Sequence, residues 1–176
     1  MGADGAPRYS DVAMAVGADD IRDGRGMATA DFDNDGDLDI VVNNNVGDSG
    51  REELARAVLL RNDTGARRNW LAVELRGTES NPDAVGAAVT AEAGGVRQLR
   101  LVTAGSGYAS QHSARLYFGL GEQAQVNSLT VRWPGGRVER FGSFQARQLV
   151  RVTEGRGAET LALAGAGGEV ARAAVR

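Results

Sequence analysis

Residues 126–141 read VNSLTVRWPGGRVERF and carry the signal of a β-hairpin. From Leu129 to Trp133 every second residue is apolar, with Thr130 and Arg132 between them, which is the period of a strand with one buried face. In the Pro-Gly-Gly turn that follows, the proline presets φ and the glycines accept a positive φ. A second run begins at Val138. The stretch therefore predicts two antiparallel strands joined by a tight turn.

Similar short runs recur along most of the chain, and glycine punctuates them at 25 of 176 positions. Gly94-Gly95 predicts a second hairpin turn, because the pair tolerates positive φ at both central positions. The other runs are LDIVV (38–42), AVLLR (57–61), WLAVELR (70–76), VGAAVTAEA (85–93), VRQLRLVT (96–103), RLYFGL (115–120) and RQLVRV (147–152). Many short strands predict a mainly β protein, with an antiparallel β-sandwich or barrel over about residues 69–152.

The composition excludes several kinds of chemistry. There is no Cys, and all 20 basic residues are Arg, so thiol nucleophiles, disulfides, phosphate-loop lysines and Schiff bases are ruled out. The net charge is −3 and the arginines are scattered, which argues against a nucleic-acid partner. No apolar run is long enough to span a membrane. The N-terminus lacks the pattern of a signal peptide, so the expectation is a cytoplasmic protein, a removed signal or a piece of a longer chain.

One segment, DFDNDGDLD at residues 31–39, carries specific metal chemistry. Its carboxylates alternate along the chain and repel one another unless a cation lies among them. Gly36 permits a turn that aims the acidic side chains at one point. Oxygen ligands in this number suit Ca²⁺ better than Mg²⁺. The predicted ligands are the side chains of Asp31, Asp33, Asp35 and Asp39 and the backbone carbonyl of Asp37.

The aspartate loop differs from an EF-hand, and a solvated acidic turn is the alternative interpretation. An EF-hand places a bidentate Glu where this chain has Val42, and it continues into a helix. Ile40 and Val41 are β-branched instead, so the loop is expected to join two strands. Asn34 is expected to point away from the ion, and its replacement by alanine is expected to change little.

Several motifs in fixed order resemble known families. The N-terminal part, with the aspartate loop at its centre, resembles one FG-GAP or VCBS repeat, and the part from residue 59 onward resembles the ASPIC/UnbV domain. The first resemblance rests on YSDVA (9–13), GRGMATA (24–30), the loop and IVVNN (40–44), and the second on LLRN (59–62), NWL (69–71), SNPDAVGA (80–87), GSGYASQ (105–111), FGLG (118–121) and VRWPGG (131–136).

The resemblance implies a propeller-blade-like calcium-loop hairpin beside an ASPIC/UnbV-like β domain. The combination is similar to the C-terminal part of cartilage-acidic-protein-like (CRTAC/UnbV) proteins. It implies a secreted, extracellular or periplasmic calcium-binding module with a protein partner. The composition of the chain favours a bacterial source. The alternative that it implies is an enzyme or auxiliary factor, without organic cofactor, in enediyne-type natural-product biosynthesis, with a small-molecule substrate. Such families carry several FG-GAP repeats, whereas this chain has one, and a single blade cannot close a propeller.

Residues outside the loop give weaker signals, and no catalytic residue is assigned. Tyr108, Gln111 and His112, in or next to the glycine-rich segment 105–111, are candidates for a polar pocket or partner site, and the alternative is a tight structural glycine turn. If the protein is an enzyme, acid–base work would fall to side chains such as Asp83, Glu74, Tyr108 and His112. The aromatic residues predicted in the core are Trp70, Tyr117, Phe118, Trp133, Phe141 and Phe144.

These patterns divide the chain into three predicted parts. Residues 1–62 form the FG-GAP/VCBS-like repeat, residues 63–154 the ASPIC/UnbV-like β domain, and residues 155–176 an Ala/Gly-rich disordered tail. Short helices are expected only at residues 49–57 and from Gly168 onward.

Overall fold

The computed structural model describes residues 9–45, 55–63 and 68–163, and this part of the chain is mainly β. It contains one short helix, α1 (Ala13–Val16). The strands are β1 (Asp23–Ala30), β2 (Asp39–Asn45), β3 (Val58–Leu60), β4 (Asn69–Arg76), β5 (Ala88–Ala93), β6 (Val96–Leu101), β7 (Leu116–Gly121), β8 (Gln125–Val126), β9 (Ser128–Arg132), β10 (Val138–Phe141), β11 (Phe144–Gln145), β12 (Gln148–Thr153) and β13 (Gly157–Leu161).

Two four-stranded sheets form a β-sandwich, which confirms the predicted fold class and selects the sandwich over the barrel. Their strand orders are β10-β9-β5-β6 and β13-β12-β4-β7. Alternate apolar side chains of both sheets meet in one core, in which Phe118 and Trp133 are fully buried. Phe141 and Phe144 pack at its border. A separate antiparallel sheet, β1-β2-β3, precedes the sandwich in the chain.

β4 occupies the centre of its sheet and is buried on both faces. It pairs antiparallel with β7 and parallel with β12, so the sandwich is not purely antiparallel. One face of β4 contributes Leu71 and Val73 to the main core. The other face forms a second apolar cluster of Trp70, Ala72 and Leu149, against which Tyr117, Leu161 and Leu163 pack. Buried side chains on both faces explain the nearly continuous apolar run of this strand.

Both predicted hairpin turns are present. Gly94 and Gly95 have φ values of 54° and 80°, the positive pair that a two-residue hairpin turn requires. In the second turn Gly136 has φ 92°, and the Gly136 N–H donates to the carbonyl of Trp133. The flanking strands pair antiparallel as predicted, with Arg132 opposite Val138.

The C-terminal prediction needs a correction. Residues 157–161 were expected to be disordered, but they form β13, which pairs with β12 from Leu149↔Leu161 to Thr153↔Gly157. Leu161 also packs on the second apolar cluster, so the edge of a sheet and an apolar contact order a segment of low apolar content. Residues 164–176 and most of the predicted helix at 49–57 lie outside the described residues, and residues 55–57 are not helical.

A buried carboxylate holds the end of β12 against the turn after β4. Glu154 is 2% exposed. Its Oε2 accepts hydrogen bonds from the backbone N–H groups of Thr78, Glu79 and Ser80 at 3.0, 3.0 and 2.7 Å. The Ser80 hydroxyl donates to Oε1 at 2.9 Å. We call this arrangement the Glu154 clamp. Because a buried charge is costly unless it is fully hydrogen-bonded, these donors are what permit a carboxylate there.

Side chains bridge the two sheets where the edge strands β6 and β7 approach each other. Gln98 Nε2 donates to the carbonyl of Gly119 at 2.6 Å, and Arg100 Nε donates to that of Tyr117 at 3.2 Å. The Arg100 guanidinium also lies 5.7 Å from the centre of the Phe118 ring. These contacts occupy carbonyl groups that an open edge would expose. In the described part of the chain no helix is long and apolar enough to cross a membrane.

Candidate metal centre

The aspartate loop connects β1 to β2, as expected for a loop that joins strands. The two strands pair antiparallel from Asp23↔Asn45 to Ala30↔Asp39, with a bulge between Gly24 and Gly26. Asn34 has φ 58° and Gly36 has φ 100°, so the chain turns back through two left-handed residues. This tight path brings the alternating aspartates of the loop to one side.

Carboxylate oxygens converge in two overlapping groups. Oxygens of Asp31, Asp33 and Asp39 lie within 4.8 Å of one another. A second set with the same spacing consists of Asp33, Asp35 and Asp63. Asp31 is 9% exposed and Asp39 is fully buried. Such a concentration of hard oxygen donors is suited to a divalent cation such as Ca²⁺.

Backbone N–H groups fix two of these carboxylates in place. Asp31 accepts hydrogen bonds from the N–H groups of Asp35 and Gly36 at 3.1 and 3.0 Å. Asp39 accepts from Phe32 at 2.9 Å and from Asn62 at 2.8 Å. A carboxylate has about four lone-pair sites, so both can still ligate an ion. Asp33 differs, because its Oδ1 is buried and has no hydrogen-bond partner within the described residues.

Burial and crowded like charges raise the pKa of two carboxyl groups in this site. Burial raises the pKa of the Asp31 carboxyl above its ordinary value, and the hydrogen bonds from Gly36, Tyr117 and Asp35 only partly oppose that effect. Burial also raises the pKa of Asp35, and the nearby charges of Asp33, Asp37 and Asp31 add to it. A bound cation would reverse these shifts, because it favours the ionised form of every carboxylate around it.

The loop residues predicted as ligands divide between the two groups of carboxylates, and Asp37 belongs to neither. Asp31, Asp33 and Asp39 come together, and Asp35 belongs to the second group with Asp33. Asp37 has a buried side chain, and its N–H donates to Asp35 Oδ1 at 2.8 Å. The expected role of its carbonyl stays a prediction.

Asp63 is a candidate ligand that sequence reasoning missed. It follows β3 and lies far from the loop in the chain, so no local spacing indicated it. The antiparallel pairing of β2 with β3, with Ile40 opposite Leu60, is what brings it near Asp33 and Asp35. Arg61 forms an ion pair with Asp63 at 2.8 Å.

The aspartate loop packs on the outer face of β4 and β7. Gly36 lies directly against the indole ring of Trp70. Arg115 Nη1 donates to Asn34 Oδ1 at 2.9 Å and to the Tyr117 hydroxyl at 3.1 Å. Burial raises the pKa of Tyr117 to about 12, so this phenol stays protonated and can donate to Asp31. The Asn34 side chain thus helps to dock the loop, and the expectation that it points away from the ion and that its replacement changes little stays a prediction.

Residues 105–113, with the predicted site residues Tyr108, Gln111 and His112, cover part of the edge of β1. His112 Nδ1 accepts a hydrogen bond from the Thr29 N–H at 3.1 Å, and the Ser113 N–H donates to the Thr29 carbonyl at 2.9 Å. Tyr108 is 75% exposed, and Gln111 is also exposed. His112 therefore connects the aspartate-loop sheet to the sandwich, while the two other side chains are open to solvent.

The residues named for acid–base chemistry lie in two places. A cavity of about 300 Å³ is lined by Glu74, Asp83 and Arg115, together with Leu75, Arg76, Ser113 and Ala114. Glu74 is paired there with Arg76 at 3.1 Å and with Arg151 at 3.4 Å. Tyr108 and His112 are not among the lining residues of this cavity. The four residues named for an enzyme therefore do not line one common cavity.

Replacing His112 tests the junction between the two parts. Alanine removes the acceptor of the half-buried Thr29 N–H, so the loss should lie toward the lower end of the about 1–3 kcal/mol that a buried donor without a partner costs. Asparagine offers an oxygen near the position of Nδ1, whereas glutamine places its amide nearer to Nε2. We expect thermal unfolding to show a clear loss of stability for His112→Ala and His112→Gln and a smaller loss for His112→Asn. Equal losses in all three variants would contradict an Nδ1-specific contact.

Comparison with known proteins finds a family match that lies mostly within the β-sandwich. The ASPIC and UnbV family model matches residues 77–159. The match runs from the end of β4 into β13. It therefore includes the turn of the Glu154 clamp and residues 105–113, whereas the aspartate loop lies before the matched ASPIC/UnbV region.

Curated relatives extend the similarity. Cartilage acidic protein 1 of Homo sapiens is 32% identical over 143 residues, which are 78% of this chain and 20% of that protein. The Xenopus tropicalis and Mus musculus proteins of the same name are 36% and 35% identical over 121 and 118 residues. These alignments cover 66% and 65% of this chain and 17% of each relative. The chain thus spans about a fifth or less of the relatives it matches, and it resembles a CRTAC/UnbV-type module.

Proposed function

We propose that this chain is a calcium-binding, extracytoplasmic protein-interaction module of the CRTAC/UnbV type. The observation that carries the metal part is the convergence of Asp31, Asp33 and Asp39 within 4.8 Å. The unpartnered buried oxygen of Asp33 supports it, because a buried polar atom without a partner is costly and an ion would satisfy it.

Calcium fits this donor set better than magnesium. The loop offers the side chains of Asp31, Asp33, Asp35 and Asp39 and the carbonyl of Asp37, and Asp63 adds one more carboxylate. Ca²⁺ takes six to eight oxygens in flexible geometry, whereas Mg²⁺ keeps several waters and demands a strict octahedron. The hairpin around the loop would be a single FG-GAP/VCBS-like unit.

In this proposal the metal acts on structure and not on a substrate. An ion held by the loop would fix the segment that contacts Trp70, Tyr117 and Arg115, so it would stiffen the junction between the hairpin and the sandwich. The similarity to cartilage acidic protein 1 supports a protein partner and a location outside the cytoplasm.

Thermal unfolding with calcium, magnesium or chelator tests the metal site. A ligand that binds only the folded state stabilises it by about 2.7 kcal/mol at one hundred times its Kd. We therefore expect calcium to raise the melting temperature of the wild type, magnesium to do so less, and EDTA to reverse the effect.

Two variants define the site in that experiment. Asp33→Ala should lose the calcium response, and the circular dichroism of the sandwich should persist because its core lies elsewhere in the chain. Asp83→Ala removes an exposed carboxylate outside the loop and should keep the full response. A melting temperature that neither calcium nor EDTA moves would reduce the aspartate loop to an acidic turn.

A further inference from the structure

The sheet β10-β9-β5-β6 has an outer face that points away from the sandwich core. Strand registers arrange its side chains in rows across the strands. One row contains Leu99, Thr90, Thr130 and Arg140, and the next contains Leu101, Ala88, Arg132 and Val138. The residues between them along each strand, such as Val89 and Val131, point into the core. We call these two rows the outer-sheet face.

Apolar side chains at both ends of the outer-sheet face are open to solvent. Leu99 and Leu101, on β6, are 57% and 53% exposed, and Val138, on β10, is 45% exposed. Val89, Leu129 and Val131 of the same sheet are buried in the core instead. Leu99 and Leu101 are neighbours on this face, and adjacent exposed apolar side chains rimmed by polar residues mark interaction sites, whereas single ones do not.

Two arginines on the same face lack a counter-charge. The side chains of Arg132 and Arg140 make no hydrogen bond or ion pair with any residue of the described ranges, and both residues are exposed. Their neighbours differ, since Arg97 pairs with Glu92 at 3.0 Å and Arg137 with Glu79 at 3.1 Å. Arg132 and Arg140 are diagonal neighbours on adjacent strands, and such positions are about 7–8 Å apart.

We propose that the outer-sheet face binds an extended acidic segment of another protein. Side chains two residues apart on one side of an extended chain are separated by about 7 Å, which matches the spacing of the two strand positions that carry Arg132 and Arg140. Each guanidinium can bind a carboxylate through two N–H groups. Apolar residues of the same segment would cover Leu99 and Leu101.

The overall charge makes this face selective. The chain carries a net charge of −3, and a local pair of unneutralised arginines gives an acidic segment a preferred position on it. This inference rests on the protein-interaction part of the proposed function, and it is independent of the metal site and its ion.

Fluorescence anisotropy with labelled peptides tests the proposal on the full chain. The probes are an eight-residue peptide of alternating Glu and Leu and the same peptide with Gln in place of Glu, each at fixed calcium concentration. We expect the Glu-Leu peptide to bind and the Gln-Leu peptide to bind at least about tenfold more weakly, because two exposed charge pairs contribute about that factor.

Matched double variants separate this face from general electrostatics. Arg132→Gln with Arg140→Gln should weaken binding of the Glu-Leu peptide about tenfold, and Leu99→Thr with Leu101→Thr should also weaken it. Arg25→Gln with Arg68→Gln makes the same change in net charge on other elements and should leave binding unchanged. Circular dichroism establishes that each variant is folded.

Four results would overturn the proposal. They are equal binding of the two peptides, an equal loss in both arginine variants, binding of a heparin fragment but not of the Glu-Leu peptide, and self-association of the wild type that the Arg132/Arg140 variant abolishes. The third result would assign the face to a sulfated sugar, and the fourth would assign it to a second copy of this chain.

Discussion

Gly36→Ala should undock the aspartate loop from the β-sandwich and cause a large loss of stability. A methyl group at Gly36 would overlap the indole ring of Trp70, and the backbone there has φ 100°, which L side chains rarely adopt. The conformational cost is about 1–2 kcal/mol and an overpacked contact costs about 1–3 kcal/mol more. We expect the free energy of unfolding to fall by about 3 kcal/mol in thermal or urea unfolding, with a change in tryptophan fluorescence.

Gly157→Ala is a matched control for this effect. Gly157 has φ 106°, close to that of Gly36, but no atom lies within 4 Å of an added Cβ. This variant should show only the conformational cost, about 1–2 kcal/mol. If both variants lost the same stability, Trp70 would not be the obstacle, and the contact between the loop and β4 would be less close than described.

Glu154→Gln should destabilise the protein at neutral pH and make its stability less dependent on pH in the acidic range. Burial by itself raises the pKa of Glu154, but the hydrogen bonds from Ser80, Thr78 and Glu79 outweigh it and hold the pKa below the ordinary value. A carboxyl whose pKa is lower in the folded state stabilises that state above its unfolded pKa. This contribution disappears as the pH falls through the folded-state pKa.

The measurement is the melting temperature of the wild type and Glu154→Gln between pH 7 and pH 3. We expect the wild type to melt several degrees above Glu154→Gln at pH 7. This difference in melting temperature should narrow as Glu154 of the wild type becomes protonated. Asp31 and Asp35 act in the opposite direction, because a raised pKa favours the folded state as the pH falls. Both proteins contain these aspartates, so subtracting one melting temperature from the other removes the effect of Asp31 and Asp35.

Glu122→Gln is the control for the clamp, since the Glu122 side chain is 85% exposed and its ion pair is with the exposed Arg68. Its melting curve should follow the wild type at every pH. A Glu154→Gln protein that also did so would mean that the clamp does not hold an ionised carboxylate.

Local patterns predicted much of the fold. The alternation from Leu129 to Trp133 and the Gly94-Gly95 pair depend only on nearby residues, and both hairpins formed as expected. The regular spacing of the loop aspartates likewise brought Asp31, Asp33 and Asp39 together. The proposed division into domains at residues 62 and 154 stays a prediction.

The elements that were missed depend on distant contacts. β1 contains GRGMATA, whose glycines resemble a loop, and it is held as a strand by β2 on one side and by His112 and Ser113 on the other. Asp63 and Glu154 carry no local signal at all, because each meets its partners through strand pairing between remote parts of the chain. The spacing of residues along the chain gives no indication of such contacts.

The parallel pairing of β4 with β12 has a consequence for how the protein folds during synthesis. Leu71 is opposite Gln148. The sheet around β4 can therefore be completed only after β12, which lies far along the chain, has been synthesised. Contacts between remote parts of a chain slow folding, because a long loop must close first. A nascent chain that ends before residue 148 would leave one edge of β4 unpaired and apolar surface open to water. We therefore expect ribosome-bound chains to become protease-resistant only after β12 has left the exit tunnel.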